Sequence, residues 1–205
     1  KRVAHLEPIP LLGSERALYD LRRLGFAIDA MNGEENHDFP DKDASVLSKL
    51  MGRSVTTTSM GRLLDALAFY LGVCSKRTYD GEPAMRLEPL LRRGRLIEGF
   101  ETEAVGGVVK TAHLFSGIKE REDKADVAYS VVSNVMGCLV EAACDASDGS
   151  PIGLTGGVSY NSVIDSMFVD MVKSYGHVPA RHKNVPNGDG GISVGQAAVA
   201  LRRLQ

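Results

Sequence analysis

The stretches LTGGVSYN (154–161) and HKNVPNGDGGISVGQ (182–196) decide how this chain reads. Each follows an apolar run and leads into a helix-like one. The order is therefore strand, Gly-Gly turn, helix, strand, Gly-rich turn, helix. A Gly-Gly pair between a strand and a helix bares backbone N–H groups at a helix N-terminus, where phosphate oxygens bind well. In the second turn Asp189 is flanked by Gly188, Gly190 and Gly191. An acid so placed is suited to hold a metal ion over whatever the first turn cradles. The pairing points to nucleotide chemistry.

Working outward, strand 151–155, helix 160–175, strand 177–183 and helix 192–204 alternate, which argues for an α/β layer architecture. Upstream, Val127, Val131, Val135, Leu139 and Ala143 recur every four residues and predict a long helix over 126–146. Two β-like runs within 95–115 flank Gly106 and Gly107. The stretch 56–72 reads as a helix with Ser59 as N-cap and Gly72 as its stop. Its apolar stripe is Leu63, Leu64, Leu67, Ala68 and Leu71. A Tyr-Asp-Gly turn (79–81) leads into a helix over 82–92. The N-terminal part opens with a short extended run (2–6) and a turn at Pro8 and Pro10. A helix capped at Ser14 follows to about residue 30, then an exposed polar loop over 32–42.

The bounds are broad. A chain of 205 residues can bury a full core. A net charge of −2 gives no global pull toward nucleic acid or an anionic membrane. No uninterrupted apolar stretch reaches the roughly 18 residues of a membrane span. With no signal peptide, the expectation is a soluble cytoplasmic protein. Cys74, Cys138 and Cys144 show no metal or disulfide spacing and read as buried thiols in a reducing compartment. The chain starts at Lys1, which reads as a piece of a longer protein.

Each candidate residue also has a bland reading. Gly156 and Gly157 are ordinary turn chemistry, because Gly adopts positive φ without steric cost. Asn161 can reach back over the loop or simply cap a helix. Asp189 can be a cap, and one carboxylate is too few ligands for any metal. His177 and His182 are an odd number of residues apart, which sends them to opposite faces of a strand, so at least one is structural. Asp65 lies over Gly61 and beside Phe69 on one helix face. Gly61 inside a helix costs about 1 kcal/mol relative to Ala, and room for a ligand is one reason to accept that. A carboxylate accepting from vicinal hydroxyls is a common way to hold ribose; the bland reading is a solvated acid. Met85 reads as core filler, and LLRRGR (90–95) as a solvated helix end.

Six segments, in order, resemble the C-terminal part of the HypF carbamoyltransferase family: RVAHLEPIPLLG (2–13), GRLLDALAFYLG (61–72), YDGEPAMRLE (79–88), DVAYSVVSNVM (126–136), LTGGVSYN and HKNVPNGDGGISVGQ. LFSGIKE (114–120) is similar instead to the related TsaD family, which transfers threonylcarbamoyl to tRNA. The resemblance implies the ASKHA (actin/Hsp70-like) fold, two α/β lobes with ATP in the cleft. It divides this chain into an inter-lobe segment, 1–55, and a nucleotide-binding second lobe, 56–205. It implies that Asp65 binds ribose, that Gly81, Glu82, Gly156, Gly157 and Asn161 line the nucleotide cleft, and that Asp189 ligates a divalent metal, Fe or Zn. Mg accompanies the nucleotide. It implies ATP-dependent transfer of a carbamoyl group from carbamoyl phosphate, through carbamoyl-adenylate, to the C-terminal cysteine of HypE. No acid or base in this chain receives a catalytic role.

Departures from the family pattern matter as much. The paired-histidine segment that supplies the other metal ligands is absent, as are the first-lobe phosphate loop and the domain that makes carbamoyl-adenylate. Arg86 stands where the family has Glu, and VPNGDGG where it has VPPNDGG. The chain therefore reads either as part of an enzyme or as a relative that borrows ligands from another chain carrying the first lobe. The alternatives are a non-catalytic nucleotide-binding or scaffold protein, and a TsaD-like role on tRNA, against which the lack of a basic face speaks.

Overall fold

The valine repeat builds the centre of the molecule. In the helix Lys124–Asp145, Val127, Val131 and Val135 are fully buried, with Ala128 and Val132 beside them. The computed structural model describes residues 2–204. In chain order these form β1 (His5–Leu6), β2 (Ile9–Pro10), α1 (Glu15–Tyr19), α2 (Arg22–Asn32), α3 (Asp41–Leu50), β3 (Thr56–Thr57), α4 (Met60–Tyr70) and α5 (Glu82–Arg93). Then come β4 (Ala104–Val105), β5 (Val108–Val109), α6 (Lys124–Asp145), β6 (Ile152–Gly153), α7 (Ser162–Ser174), β7 (Pro179–Ala180) and α8 (Ile192–Leu204). Short 3-10 turns at Gly157–Tyr160 and Asp189–Gly191 precede α7 and α8.

The helices pack as a row, α2 on α4, α4 on α5, α5 on α6 and α6 on α7. The α4 stripe is buried as its spacing predicts. The Phe69 ring packs directly on the backbone of Gly25, where a Cβ would stand 2.2 Å from it. The Tyr70 hydroxyl donates to the carbonyl of Gly25 at 3.1 Å and to the buried carboxylate of Asp29, fastening α4 to α2. Three small sheets edge this row. β1 pairs parallel with β5, and β5 antiparallel with β4; β2 pairs with β3, and β6 runs parallel to β7. Glu7 clips the first sheet to the core by accepting from the Thr111 and Ala112 N–H groups at 2.9 and 3.0 Å.

The structure corrects the sequence reading in several places; Met85, read as core filler, is exposed on α5. The helix from Ser14 is broken at Asp20, because Asp20 bridges to Lys76 and the Leu21 N–H donates to Ser75 O. Ser14 itself has φ 51° and makes no capping bond. The loop over 32–42 ends where Pro40 opens α3, with Asp41 and Asp43 in its first turn. The strands expected over 151–155 and 177–183 pair only at Ile152–Pro179 and Gly153–Ala180. Pro179 has no N–H to donate, and among the described residues no third strand extends the ladder. Finally, α6 is long and apolar enough by composition to cross a membrane, although no uninterrupted apolar run marks it. Half of its apolar window is buried against its neighbours.

Candidate functional site

The two glycine-rich loops are bound to each other. Gly156, at φ 95°, donates its N–H to the carbonyl of Asn187 at 2.6 Å, and the Thr155 hydroxyl donates to the same oxygen at 3.0 Å. The Asn187 amide returns a bond to Ser159 O at 3.3 Å, and the Gly188 N–H donates to the Tyr160 hydroxyl at 3.1 Å. The N–H of Gly156 is thus used within the protein. Among the described residues nothing accepts from the N–H groups of Gly157 and Val158. A Cβ at Gly156 or Gly157 would meet nothing within 4 Å. The turn therefore presents bare backbone to its surroundings.

What it faces is a cleft of about 410 Å³. Ser59, Met60 and Gly61 from the start of α4 form one wall. Met136, Leu139, Val140 and Ala143 of α6 form an apolar floor, and residues 153–158 form the rim. At Gly61 an added Cβ would approach only the Ser59 hydroxyl, at 3.4 Å, so α4 shows backbone to the cleft there. An apolar slot rimmed by bare N–H groups suits a flat, polar-edged ring with a phosphate at one end.

Asn161 caps α7: its side-chain oxygen accepts from Val163 N at 3.1 Å and Ile164 N at 3.2 Å. The bland reading of this residue is thus present in the structure. Its Nδ2 is buried without a partner, with the residue only 8 % exposed, so half of the amide stays uncommitted.

Asp65 is not a solvated acid; it is 1 % exposed. Arg62 stands 2.6 Å from its Oδ2, in an ion pair whose alignment makes no hydrogen bond. Burial pushes the Asp65 carboxyl up to about 6, opposed by the charges of Arg62 and Arg77. Glu82 is buried as well, accepting from Thr78 N at 2.6 Å and Thr78 Oγ1 at 2.8 Å. Those bonds and the Arg86 guanidinium, 2.6 Å away, hold Glu82 below the usual carboxylate range. Gly81 precedes α5 at φ 78°, a left-handed position that favours glycine. Asp65, Gly81 and Glu82 lie along α4 and at the start of α5, outside the wall of the cleft.

Asp189 is exposed at the first position of its 3-10 turn. Among the described residues no group of three His, Cys, Asp or Glu side chains could hold a metal ion. His177 pairs with the Ser147 hydroxyl at 3.2 Å, and His182 lies on a polar crevice at the ends of β6 and β7. The donors of the described residues alone do not fit a metal. Cys74 and Cys144 are buried and Cys138 half-buried, and burial pushes all three thiols up.

The structure therefore joins Gly61 to the Gly156–Gly157 turn across one cleft, and ties that turn to the Asp189 loop. Sequence reasoning missed Asn187, whose backbone oxygen makes the tie. Its one visible signal was an Asn inside a glycine-rich turn.

Residues 1–196 match the family described as "Carbamoyltransferase, Kae1-like Domain, second subdomain". The chain is 35 % identical over 219 residues to the probable carbamoyltransferase HypF of Methanocaldococcus jannaschii, covering 98 % of this chain and 29 % of that protein. It is 31 % identical to the carbamoyltransferase HypF of Rhodobacter capsulatus, covering 100 % of this chain and again 29 % of the relative. The crystal structure of T. kodakarensis HypF superposes with a TM-score of 0.82 at 31 % identity, covering 100 % of this chain and 30 % of that one. A full-length HypF solved in a phosphate- and nucleotide-bound form shares the fold, with a TM-score of 0.84 at 24 % identity; it too covers 100 % of this chain, and 35 % of that one. The architecture is an α/β ASKHA-like fold in part, and the chain spans under a third of the curated relatives it resembles. With the glycine-rich turns, their cleft and these likenesses together, the chain belongs to the HypF carbamoyltransferase family.

Proposed function

We propose that this chain is the nucleotide-holding second lobe of a HypF-type carbamoyltransferase, acting on carbamoyl-adenylate. The observation that carries the reading is the Gly156–Gly157 turn, with the N–H groups of Gly157 and Val158 open above the apolar floor of α6. The adenine lies on Met136, Leu139 and Val140, and the phosphate receives the bare N–H groups. Asp65 lies one helical turn along α4 from Gly61 of the cleft wall, and its Oδ2 reaches ribose hydroxyls only when Arg62 turns aside and opens that side of the cleft. That a relative of the same fold was solved with phosphate and nucleotide bound supports this reading.

In the transfer, an acceptor thiolate attacks the carbamoyl carbon. The carbon–oxygen bond to the phosphate breaks, and AMP leaves with the electron pair. This chain's part is to hold the nucleotide still and to offer donors to the charge that grows on the leaving phosphate. Its own cysteines are buried or half-buried with raised pKa, which makes them poor nucleophiles, so the thiol belongs to a partner, a HypE-like carrier. Asp189 is one acid of a site whose remaining ligands come from the first lobe. That lobe docks on α8, which has Ile192, Val194, Val199, Leu201 and Leu204 exposed.

Calorimetric titration of AMP and Mg-ATP into the chain, beside Asp65→Ala, tests the reading. Binding that the substitution abolishes supports a working nucleotide site. No binding to the folded chain, either alone or joined to a first lobe, overturns it. One observation favours a second reading, a nucleotide-binding relative without transfer activity: Asp65 and Glu82 are both closed by arginines. In that case AMP binds to the completed protein, and carbamoyl-adenylate and a carrier thiol give no product.

A further inference from the structure

We infer that Tyr160 and Asn187 are positioning residues that hold Asp189 at a fixed distance from the Gly156–Gly157 turn, so that the acid and the turn move as one body. This deepens the nucleotide reading above and rests on it for its effect on ligand. The observations are local. Four hydrogen bonds cross between 155–160 and 187–188: Gly156 N and Thr155 Oγ1 to Asn187 O, Asn187 Nδ2 to Ser159 O, and Gly188 N to Tyr160 Oη. Gly188, the residue before Asp189, lies against the hydroxyl end of the Tyr160 ring. A Cβ there would stand 2.4 Å from Cε2 and 2.9 Å from the hydroxyl oxygen.

The backbone at Gly188, φ −109° and ψ −152°, is open to any residue. The glycine is therefore required by the tyrosine ring and not by the turn. Beyond this clasp the 3-10 turn Asp189–Gly191 packs on Val185 and Pro186 of its own loop and on α8, which is itself exposed. The clasp is thus the main link between Asp189 and the body of the lobe. On the other side Asn161, the residue after Tyr160, is fixed as the cap of α7. The chain from the rigid start of α7 to the acid runs through one tyrosine ring and one asparagine.

Gly188→Ala tests this, because its methyl group must displace the ring. Amide exchange followed by NMR should show the Gly156 N–H exchanging roughly tenfold faster, the effect of losing about one hydrogen bond. The amides of α6 should be unchanged. Tyr160→Ala removes the ring and the acceptor of the Gly188 N–H without any clash, and should also speed the Gly156 exchange. Unchanged Gly156 exchange in either variant overturns the inference. AMP titration forms the second arm. Weaker AMP binding in both variants supports the positioning role. A loosened turn with unchanged AMP affinity overturns it. If the parent chain binds no AMP, the nucleotide reading fails, and the exchange result alone still decides whether the clasp exists.

Discussion

Asp65 shows how burial turns one side chain into a pH-sensitive group. Its carboxyl is pushed up to about 6 from an ordinary value near 3.8. In the ligand-free protein the folded state therefore binds this proton more tightly than the unfolded chain does. The favourable contribution is full below about pH 4 and is lost as pH rises through 6. Nucleotide binding should follow the opposite course, because the ionised acid is the better acceptor. AMP affinity is expected to fall as pH drops through 6, and Asp65→Asn should flatten that dependence in calorimetry at pH 5, 6 and 7.5. Glu7 behaves in the other sense. Burial alone would raise it, yet the Ala112 and Thr111 N–H groups outweigh burial and hold it low. Its contribution is present above the ordinary carboxylate value and disappears in acid. Glu7→Ala should lower stability at pH 7 by about 1–3 kcal/mol, the cost of stranding buried donors, and by less at pH 4 in urea denaturation.

At the scale of elements, α7 depends on its cap. Asn161→Ala should lower the denaturation midpoint by about 1 kcal/mol equivalent with an unchanged slope. Asn161→Asp keeps an oxygen for Val163 N and Ile164 N and should hold stability near the parent value. It replaces the unpartnered Nδ2 with a charged oxygen, so a loss of AMP affinity in Asn161→Asp reports on that nitrogen together with the added charge. The elements readable from sequence were those whose evidence is local. The valines of α6 and the leucines of α4 repeat at helical spacing, and both helices fold where that spacing predicts. What failed depended on distant partners. Residues 14–30 look like one helix until 75 and 76 come alongside and break it at Asp20. The parallel strands were read too long because ladder length depends on neighbours, which a strand's own composition does not encode. The candidate site divides in the same way. Gly156, Gly157 and the cap at Asn161 were legible, since turn and cap chemistry belong to the residue itself. The tie through Asn187 was not, since a backbone carbonyl is common to every residue type.

For the whole molecule, α8 is the element that does not close. A helix of this length is marginal in water unless its apolar face is covered, and Leu204 is 85 % exposed. Hydrogen exchange should find the α8 amides among the fastest of any helix here and those of α6 among the slowest. Leu201→Glu should leave the denaturation midpoint within about 0.5 kcal/mol of the parent, as an exposed substitution does. Once a first lobe is joined to the chain, α8 amides should become protected and Leu201→Glu should weaken that docking.

The state of the three thiols has a practical corollary. With Cys74 and Cys144 enclosed and Cys138 half-enclosed beneath Thr102, all three thiols should react slowly with electrophiles at neutral pH, a rate that thiol titration with a maleimide measures. A cysteine engineered on the surface would be a more accessible handle for a fluorescent label than any of these three.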